Sequence, residues 1–312
     1  MKKKTVRAIQ GLVFAGVVAV LAFVGDYYLN QNTNAKVPET STVVKSSEKV
    51  TESDQNVTVH FIDVGQADSI LIRQGEHAML IDGGTNEAGG TVVQYLKDQK
   101  VTKLDYIVGT HAHEDHIGGL DDVIQTFDSD VILFPKQTAN TKTFENFVKA
   151  VKEKNKQLTA PVVGQSYTLG DATFKIMAPN SDKYESANDY SIVIKLTYQN
   201  KSFLFTGDAE SVSEKEMLNQ NLDLKSDVLK VGHHGSKTST SKAFLEKVAP
   251  SAAVICVGRN NDYHHPTKTV MMRLKDAHIP VYRTDEQGNV IATCDGNQIS
   301  FQVKPASYSY AT

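Results

Sequence analysis

The sequence predicts a mixed α/β domain in which two β-rich halves pack face to face and the helices lie outside. Three observations support this prediction. Short apolar runs begin at Val57, segments with helical spacing lie between them, and the second half of the region repeats the pattern of the first. In both halves, polar loops that contain histidine follow apolar strands.

The individual elements follow from the spacing of apolar residues along the chain. Strands are predicted where short apolar runs are bounded by turn residues, at 57–63, 69–74, 77–82, 104–110, 131–135, 172–179, 191–199, 201–208, 227–232, 252–258, 281–284, 289–293 and 298–303. Helices are predicted where apolar residues recur every three or four positions, at 91–99, 118–127, 144–154, 213–218, 241–249 and 269–277.

The first 56 residues differ from this pattern. Basic residues at positions 2, 3, 4 and 7 precede an apolar run from Ala8 to Val24, whose length is near the lower limit for crossing a bilayer. Residues 1–30 are therefore expected to be a signal anchor that forms an N-terminal membrane helix and holds the body outside the cytoplasm. A weak cleavage site leaves a cleaved signal peptide, and a secreted protein, as the alternative. The polar residues 31–56 predict a disordered linker, so the folded domain is expected to span 57–312.

Composition excludes several classes of protein. The chain has 312 residues, and its hydrophobic content of 40% is enough for a globular core. Its two cysteines, Cys256 and Cys294, exclude a disulfide scaffold and a cysteine-based zinc finger, and they leave open whether the two residues pair. The net charge is −3 although the N-terminal segment is basic, and an acidic body argues against a broad electrostatic grip on long nucleic acid.

The strongest chemical signal follows the predicted strand 104–110. His111, His113, Asp115 and His116 fall within six residues, and the first two share one side of an extended segment. This spacing can supply ligands to two adjacent metal ions. Imidazole and carboxylate together favour Zn²⁺, iron or Mn²⁺ over Ca²⁺. The alternative is a solvated polar loop.

Two further histidine pairs follow strands in the second half. His233 and His234 come after the strand 227–232, and ordinary loop histidines are the alternative for this pair. The second pair lies in a loop before Pro266, where the next helix is expected to begin and its N-terminus to favour an anion. A phosphate-binding loop whose histidine protonates a leaving group is predicted there, with a capped loop as the alternative. Its residues are Arg259, Tyr263, His264 and His265.

These motifs, in this order, resemble a known family. The run from His111 to His116 has the H-x-H-x-D-H pattern of the metallo-β-lactamase superfamily. The segments HFIDVGQADSILI, LIDGG, FTGDAE, LKVGHHGS, HHP and YRTDEQG are similar to the extracytoplasmic hydrolase domain of the ComEC competence DNA-uptake family, and the resemblance covers about residues 57–303. It implies a four-layer αββα sandwich with a metal site along one edge of the sheets.

The resemblance also implies roles for individual residues. His111 and His113 match ligands of a first metal. Asp115 and His116 match ligands of a second metal, and Asp115 is also expected to act in catalysis. Asp208 matches the bridging carboxylate, and Asp82 matches a residue that supports the metal-binding loop, with an ordinary turn residue as the alternative. One of His233 and His234 completes the second metal; Gly235 favours His234, which leaves His233 for substrate binding or proton transfer, and the reverse assignment stays open.

One departure from the family pattern concerns the first metal. Many members have another histidine ligand before the bridging aspartate, but no histidine lies between His116 and His233 in this chain. Asp189 could replace it, or could simply begin a strand. Asp63, Gln66 and Asp68 surround the first tight turn of the domain and are expected to face the site entrance. His60 is expected to be an ordinary strand residue.

The resemblance implies a dinuclear metal-dependent hydrolase that acts through a metal-activated water. Two divalent ions are expected, Zn²⁺ first and Mn²⁺ as the alternative. A phosphodiester is the leading substrate, with single-stranded DNA as one candidate and a small phosphodiester as another. A hydrolase of the same fold that acts on a thioester, a lactam or a cell-wall phosphoester is the alternative enzyme, and a non-catalytic surface module is the alternative outside enzymes. No obligate protein partner is inferred.

Overall fold

Two β-sheets form the middle of the molecule in the computed structural model, which describes residues 55–310. The first sheet takes its strands from both ends of the described chain. They are β1 (Val57–Phe61), β2 (Ile70–Gln74), β3 (His77–Ile81), β4 (Lys103–Val108), β5 (Asp128–Leu133), β6 (Leu158–Thr159), β14 (Val290–Cys294) and β15 (Ile299–Phe301). The second sheet is continuous in sequence. It contains β7 (Ser166–Leu169), β8 (Ala172–Ala178), β9 (Val193–Tyr198), β10 (Lys201–Phe205), β11 (Val228–Lys230), β12 (Ala252–Ile255) and β13 (Val281–Arg283).

The order of the strands places several loops at the same edge. The first sheet runs β15-β14-β1-β2-β3-β4-β5-β6, and the second runs β13-β12-β11-β10-β9-β8-β7. The strands β3, β4 and β5 are parallel to one another, and so are β10, β11, β12 and β13. Because parallel strands have their carboxyl ends at one edge, the loops that leave them collect there, which is where open α/β sheets commonly bind ligands.

The main hydrophobic core lies between the two sheets. Its large side chains include Phe61 from the first sheet and Phe174, Phe203 and Phe205 from the second, and all four are buried. The rings of Phe61 and Phe205 lie 6.3 Å apart between centroids. Alternate residues of the same strands point outward, because side chains alternate between the faces of a strand. Both faces of each sheet are therefore apolar and need cover.

Helices provide that cover. They are α1 (Gly89–Asp98), α2 (Glu114–Ile117), α3 (Leu120–Thr126), α4 (Lys142–Glu153), α5 (Ser211–Asn219), α6 (Lys242–Val248), α7 (Lys268–Asp276) and α8 (Thr284–Gln287). The helix α3 packs against both α1 and α4 on the side of the first sheet. Buried residues of α5, α6 and α7 form a second core with the outer face of the second sheet. Thr141 and Ser241 begin α4 and α6 by accepting a hydrogen bond from the backbone N–H three residues later.

The predicted mixed α/β fold with two sheets is confirmed, with two differences. The division into two halves is not strict, because β14 pairs with β1 and returns the end of the chain to the first sheet. The segment after His113, expected to be a turn, is the single helical turn α2. Both cysteines are buried free thiols.

The predictions for the N-terminal segment fall almost entirely on residues 1–54, which lie outside the described residues. Within residues 55–310, no helix is long and apolar enough to cross a membrane. The predicted signal anchor and linker therefore stay predictions.

Candidate metal centre

Loops from both sheets bring the predicted ligands together at the carboxyl edge of the parallel strands. The strand β4 leads into His111, and α2 then carries Asp115 and His116. From the second sheet, β10 leads to Asp208 and β11 leads to the histidine pair 233–234. Four of these side chains could hold one metal ion, because their ligand atoms all lie within 4.8 Å of one another. They are Asp115, His116, Asp208 and His234.

The distances in this cluster converge on the carboxylates. His116 Nε2 lies 3.3 Å from Asp208 Oδ2 and 3.7 Å from Asp115 Oδ2. His234 Nε2 lies 3.1 Å from Asp115 Oδ2 and 3.7 Å from Asp208 Oδ1. His116 Nε2 and Asp208 Oδ1 are buried and make no hydrogen bond within the described part of the chain. Buried polar atoms without a partner are costly, so this donor set fits a divalent cation of the Zn²⁺ or Mn²⁺ type.

The electrostatics of the cluster favour positive charge at its centre. Burial alone would lower the pKa of His234, but the carboxylates of Asp208 and Asp68 raise it to about 10. Burial would likewise lower the pKa of His116, yet Asp208 and Asp115 raise it well above its ordinary value. These carboxylates hold protons on the two imidazoles, and a divalent cation would provide the same positive charge in their place.

His111 and His113 lie beside this cluster and face one another. His111 Nε2 is 3.0 Å from His113 Nδ1, which is near the roughly 3.3 Å that separates two tetrahedral ligands at zinc–nitrogen distances. His111 is fully buried, and burial lowers its pKa well below the ordinary value, so its ring is neutral and can donate a lone pair. His113 is exposed to solvent. The two rings are therefore close enough to bind one cation together, although the compact groups of three or more ligand atoms among residues 55–310 do not include them.

Asp82 supports the loop that carries these ligands. Its Oδ2 lies 2.8 Å from His116 Nδ1, and its two oxygens accept hydrogen bonds from the backbone N–H and the hydroxyl of Thr110 at 2.8 Å. The bond fixes the His116 ring so that Nε2 points toward the ligand cluster, as carboxylates do for many metal-binding histidines. Asp82 has a φ of 59°, a strained conformation for a residue other than glycine.

A buried ion pair beneath His234 was not predicted as such. Lys230 Nζ lies 2.8 Å from Asp68 Oδ2, and both side chains are almost fully buried. Asp68 Oδ1 in turn lies 3.3 Å from His234 Nδ1, which also lies 2.9 Å from the carbonyl oxygen of Cys256. Asp68 is therefore below the site and not at its entrance. The signal for Lys230 was a single cation within the apolar strand β11.

His233 lies on the cleft side of the pair. Its Nδ1 is 3.2 Å from Glu210 Oε1, and its Nε2 is 3.6 Å from Asp208 Oδ2. Glu210 was not predicted to take part in the site.

Asp189, considered as a replacement ligand, instead accepts hydrogen bonds from the backbone N–H groups of Glu210 and Ser213 at the start of α5. Its role is to cap that helix.

A cleft of about 610 Å³ lies over the ligand cluster, and its lining includes His113, Asp115, Asp208 and the histidine pair 233–234 but not the buried His111 and His116. Gln66, Tyr263 and His265 line the cleft with the ligands. Tyr263 is 68% exposed, and its ring stacks on that of His265. Burial lowers the pKa of His265 to about 4, so this ring is neutral at pH 7.

Other residues of the predicted phosphate-binding loop lie elsewhere. Arg259 donates from Nε and Nη2 to the carbonyl oxygen of Asp285 and does not line the cleft. His264 is exposed and does not line it either, and Asp63 is exposed as well. The helix α7 begins at Lys268 and not at Pro266. His60 is a buried strand residue that bonds to Tyr95 and Thr58, as expected.

Comparisons with known proteins agree with this architecture. A family model described as the metallo-beta-lactamase superfamily matches residues 62–259. ComE operon protein 3 from Bacillus subtilis is 29% identical over 265 residues, which cover 79% of this chain and 34% of that protein. Competence protein ComA from Neisseria gonorrhoeae is 31% identical over 243 residues, which cover 77% of this chain and 32% of that protein. The predicted resemblance to ComEC-type competence proteins is confirmed, and the chain spans about a third of the length of these relatives.

A solved structure supports the fold independently. The metallo-beta-lactamase fold protein YhfI from Bacillus subtilis matches with a TM-score of 0.51 and 14% identity, over 75% of this chain and 99% of that one. At this level of identity the likeness concerns the fold alone.

Proposed function

The chain belongs to the metallo-beta-lactamase superfamily, and from that premise we propose that it is a dinuclear metal-dependent hydrolase of phosphodiester bonds. The observation that carries the proposal is the cluster of Asp115, His116, Asp208 and His234, of which all but the buried His116 line an open cleft. When bound, divalent cations of the Zn²⁺ or Mn²⁺ type supply an activated water and polarise the phosphoryl group.

The protein's own side chains would hold the ions and orient the substrate. Asp208 lies within 3.7 Å of His116, His233 and His234 and would be the carboxylate shared by the two ions. The carboxylates of Glu114, Asp115 and Asp208 also line the cleft, so without cations the site would repel a phosphate. Substrate binding is therefore expected to depend on the same ions as the chemistry. This dependence distinguishes the proposed enzyme from a surface module that binds its ligand without metal.

Single-stranded nucleic acid is the proposed substrate class. The relatives named as competence proteins support it, and so does the cleft. Tyr263 presents an exposed aromatic ring at the cleft, and such rings stack on unpaired bases. Short single-stranded nucleic acids suit the acidic body of the protein better than long duplexes, because binding a long duplex needs many contacts from basic residues.

A substrate panel tests the proposal. The full chain, loaded with Zn²⁺ or Mn²⁺, would be given an activated phosphodiester, single- and double-stranded DNA, a thioester and a β-lactam. We expect hydrolysis of the phosphodiester and of single-stranded DNA, and loss of both activities on chelation. Turnover of the thioester or the lactam alone would contradict the proposal and favour the alternative hydrolase. Absence of any turnover by the loaded protein would favour a non-catalytic module.

His265 is proposed to act on the leaving group from the wall of the cleft. The support is its position, because the ring lines the cleft and its Nδ1 makes no hydrogen bond within residues 55–310 that would fix one tautomer. His265→Ala should lower turnover by about 10²–10⁴-fold on substrates with poor leaving groups and far less on activated esters. Equal losses on the two classes would refute the role.

The proposal also places the domain outside the cytoplasmic membrane. The support is the basic start and apolar run of residues 1–30. Protease added to intact cells should remove the domain if it is anchored there. Protection until the cells are lysed would contradict this placement.

A further inference from the structure

The two halves of the proposed centre have unequal numbers of protein ligands. Asp115, His116 and His234 serve the second site together with Asp208. The first site has only His111 and His113 besides Asp208, because no histidine occurs between His116 and His233. We infer that His233 supplies the missing imidazole and binds the ion of the first site. The inference rests on the metal centre of the proposed function, but not on its substrate.

The hydrogen bonds of His233 are those of a metal-binding histidine. Its Nδ1 lies 3.2 Å from Glu210 Oε1, 3.3 Å from Thr238 Oγ1 and 3.4 Å from Asn188 Nδ2. The nearest of these, the Glu210 carboxylate, can only accept a hydrogen bond, which favours the proton on Nδ1 and the lone pair on Nε2. His116 is arranged in the same way, because its Nδ1 is hydrogen-bonded to Asp82 and its Nε2 faces Asp208 in the ligand cluster. A histidine whose Nδ1 is held by a carboxylate is a more basic and better oriented ligand.

The bridging carboxylate separates the two neighbouring histidines. His234 Nε2 lies 3.7 Å from Asp208 Oδ1, whereas His233 Nε2 lies 3.6 Å from Asp208 Oδ2. The two neighbouring rings thus approach opposite oxygens of Asp208, and Oδ2 is shared between His233 and His116, whose Nε2 lies 3.3 Å from it. Ions in two-metal sites are about 3.5–4 Å apart, so adjacent residues can reach one each.

An unusual backbone conformation directs the two neighbouring histidine rings in different directions. His233 and His234 both adopt the left-handed conformation, with φ of 49° and 51°. Their rings lie 6.1 Å apart at 70° and therefore do not stack. Two consecutive non-glycine residues rarely adopt this conformation, and such strain concentrates at functional sites. Here it directs two consecutive side chains into the same centre.

The test is a count of bound ions in the full chain, with no substrate present. Wild type and His233→Ala would be equilibrated with Zn²⁺ against a competing chelator, and bound metal measured by mass spectrometry. We expect two ions in wild type. In His233→Ala we expect one tight ion, and the affinity for the other to fall by about 100-fold or more. Two ions held with wild-type affinity in this variant would overturn the inference.

Matched variants test whether His233 binds the ion itself or is only a neighbouring residue whose loss disturbs the cleft. His265→Ala removes a ring only 5.5 Å from that of His233 but should keep both ions. Loss of an ion in this control would show that any change in the cleft disturbs binding, and would overturn the assignment. Glu210→Gln keeps the His233 ring and should weaken the same single ion by about 10–100-fold. If His233→Ala fails to fold, judged by its circular dichroism melt, Glu210→Gln decides, and unchanged affinities there would overturn the inference.

Failure of this inference can be distinguished from failure of the proposed function. A wild-type chain that binds two ions, loses one in His233→Ala and hydrolyses no phosphodiester would support the assignment and refute the proposed activity. If the wild-type chain hydrolyses phosphodiesters and the His233→Ala variant keeps both ions, the proposed activity would be supported and the assignment of His233 refuted. Wild type that binds fewer than two ions would refute both.

Discussion

The two halves of the metal centre are supported by different kinds of groups. The histidines of the second site rest on buried carboxylates, since His116 bonds to Asp82 and His234 contacts the Asp68–Lys230 pair. In the first half, the neighbours of His111 Nδ1 are hydroxyls, with Thr110 Oγ1 at 3.1 Å and Ser191 Oγ at 3.4 Å. The carboxylate beside His233 in that half, Glu210, is partly exposed and not buried.

Accessibility also differs between the halves. His116 and His234 of the second half are buried, and so is His111 of the first half, whereas His113 is exposed and His233 is partly exposed. Buried carboxylates fix ring orientation and favour positive charge, so the second half should bind its ion more tightly. The first half is open, which suits exchange of ligands and entry of substrate. In the proposed dinuclear centre, this difference would give one tightly bound ion and one more labile ion.

The largest effect is expected where the two halves meet. Asp208→Ala removes the carboxylate that both halves share, so both ions should be lost and turnover should fall by about 10³-fold or more. Metal analysis after gel filtration checks the count, and Asp182→Ala, at a surface aspartate that is 87% exposed, is the control. Retention of two tightly bound ions in Asp208→Ala would refute a bridging role.

A smaller effect is expected from changes to the buried Asp68–Lys230 ion pair beside His234 of the second half. Lys230→Met leaves Asp68 buried without its cation, which should lower the free energy of unfolding by about 3–5 kcal/mol. Lys230→Met combined with Asp68→Asn removes both charges and should recover much of that loss. Urea unfolding of the metal-free protein, followed by circular dichroism, measures both. Equal destabilisation of the single and double variants would show that lost packing, and not an unpaired charge, is responsible.

The smallest effect is expected at Asp82, and it should be confined to one half. Asp82→Asn keeps the shape of the side chain but presents a neutral group to His116 Nδ1. The affinity of the second ion should fall by about 10–100-fold while that of the first changes little. Competition titrations with a metal indicator separate the two steps, and Asp63→Asn, at an exposed aspartate, is the control. Equal weakening of both ions would mean that the halves are not supported independently.

Much of the fold was readable from local patterns. The strands β1, β2 and β3 and the amphipathic helix α4 lie where alternation and helical spacing predict them, because burial of one face imposes those periods. The short strands β6 and β7 were missed. They contain two and four residues, too few for a period to show.

The candidate ligands could be predicted from the sequence, since the spacing of His111, His113, Asp115 and His116 concerns residues that are neighbours along the chain. Their surroundings depend on the tertiary structure. It placed Lys230 against Asp68, which is 162 positions earlier in the chain, and it tied Arg259 to a backbone carbonyl outside the cleft. It also brought Glu210 to His233. Such contacts join residues from different strands and loops, and their partners are set by how the two sheets pack, which no local period encodes.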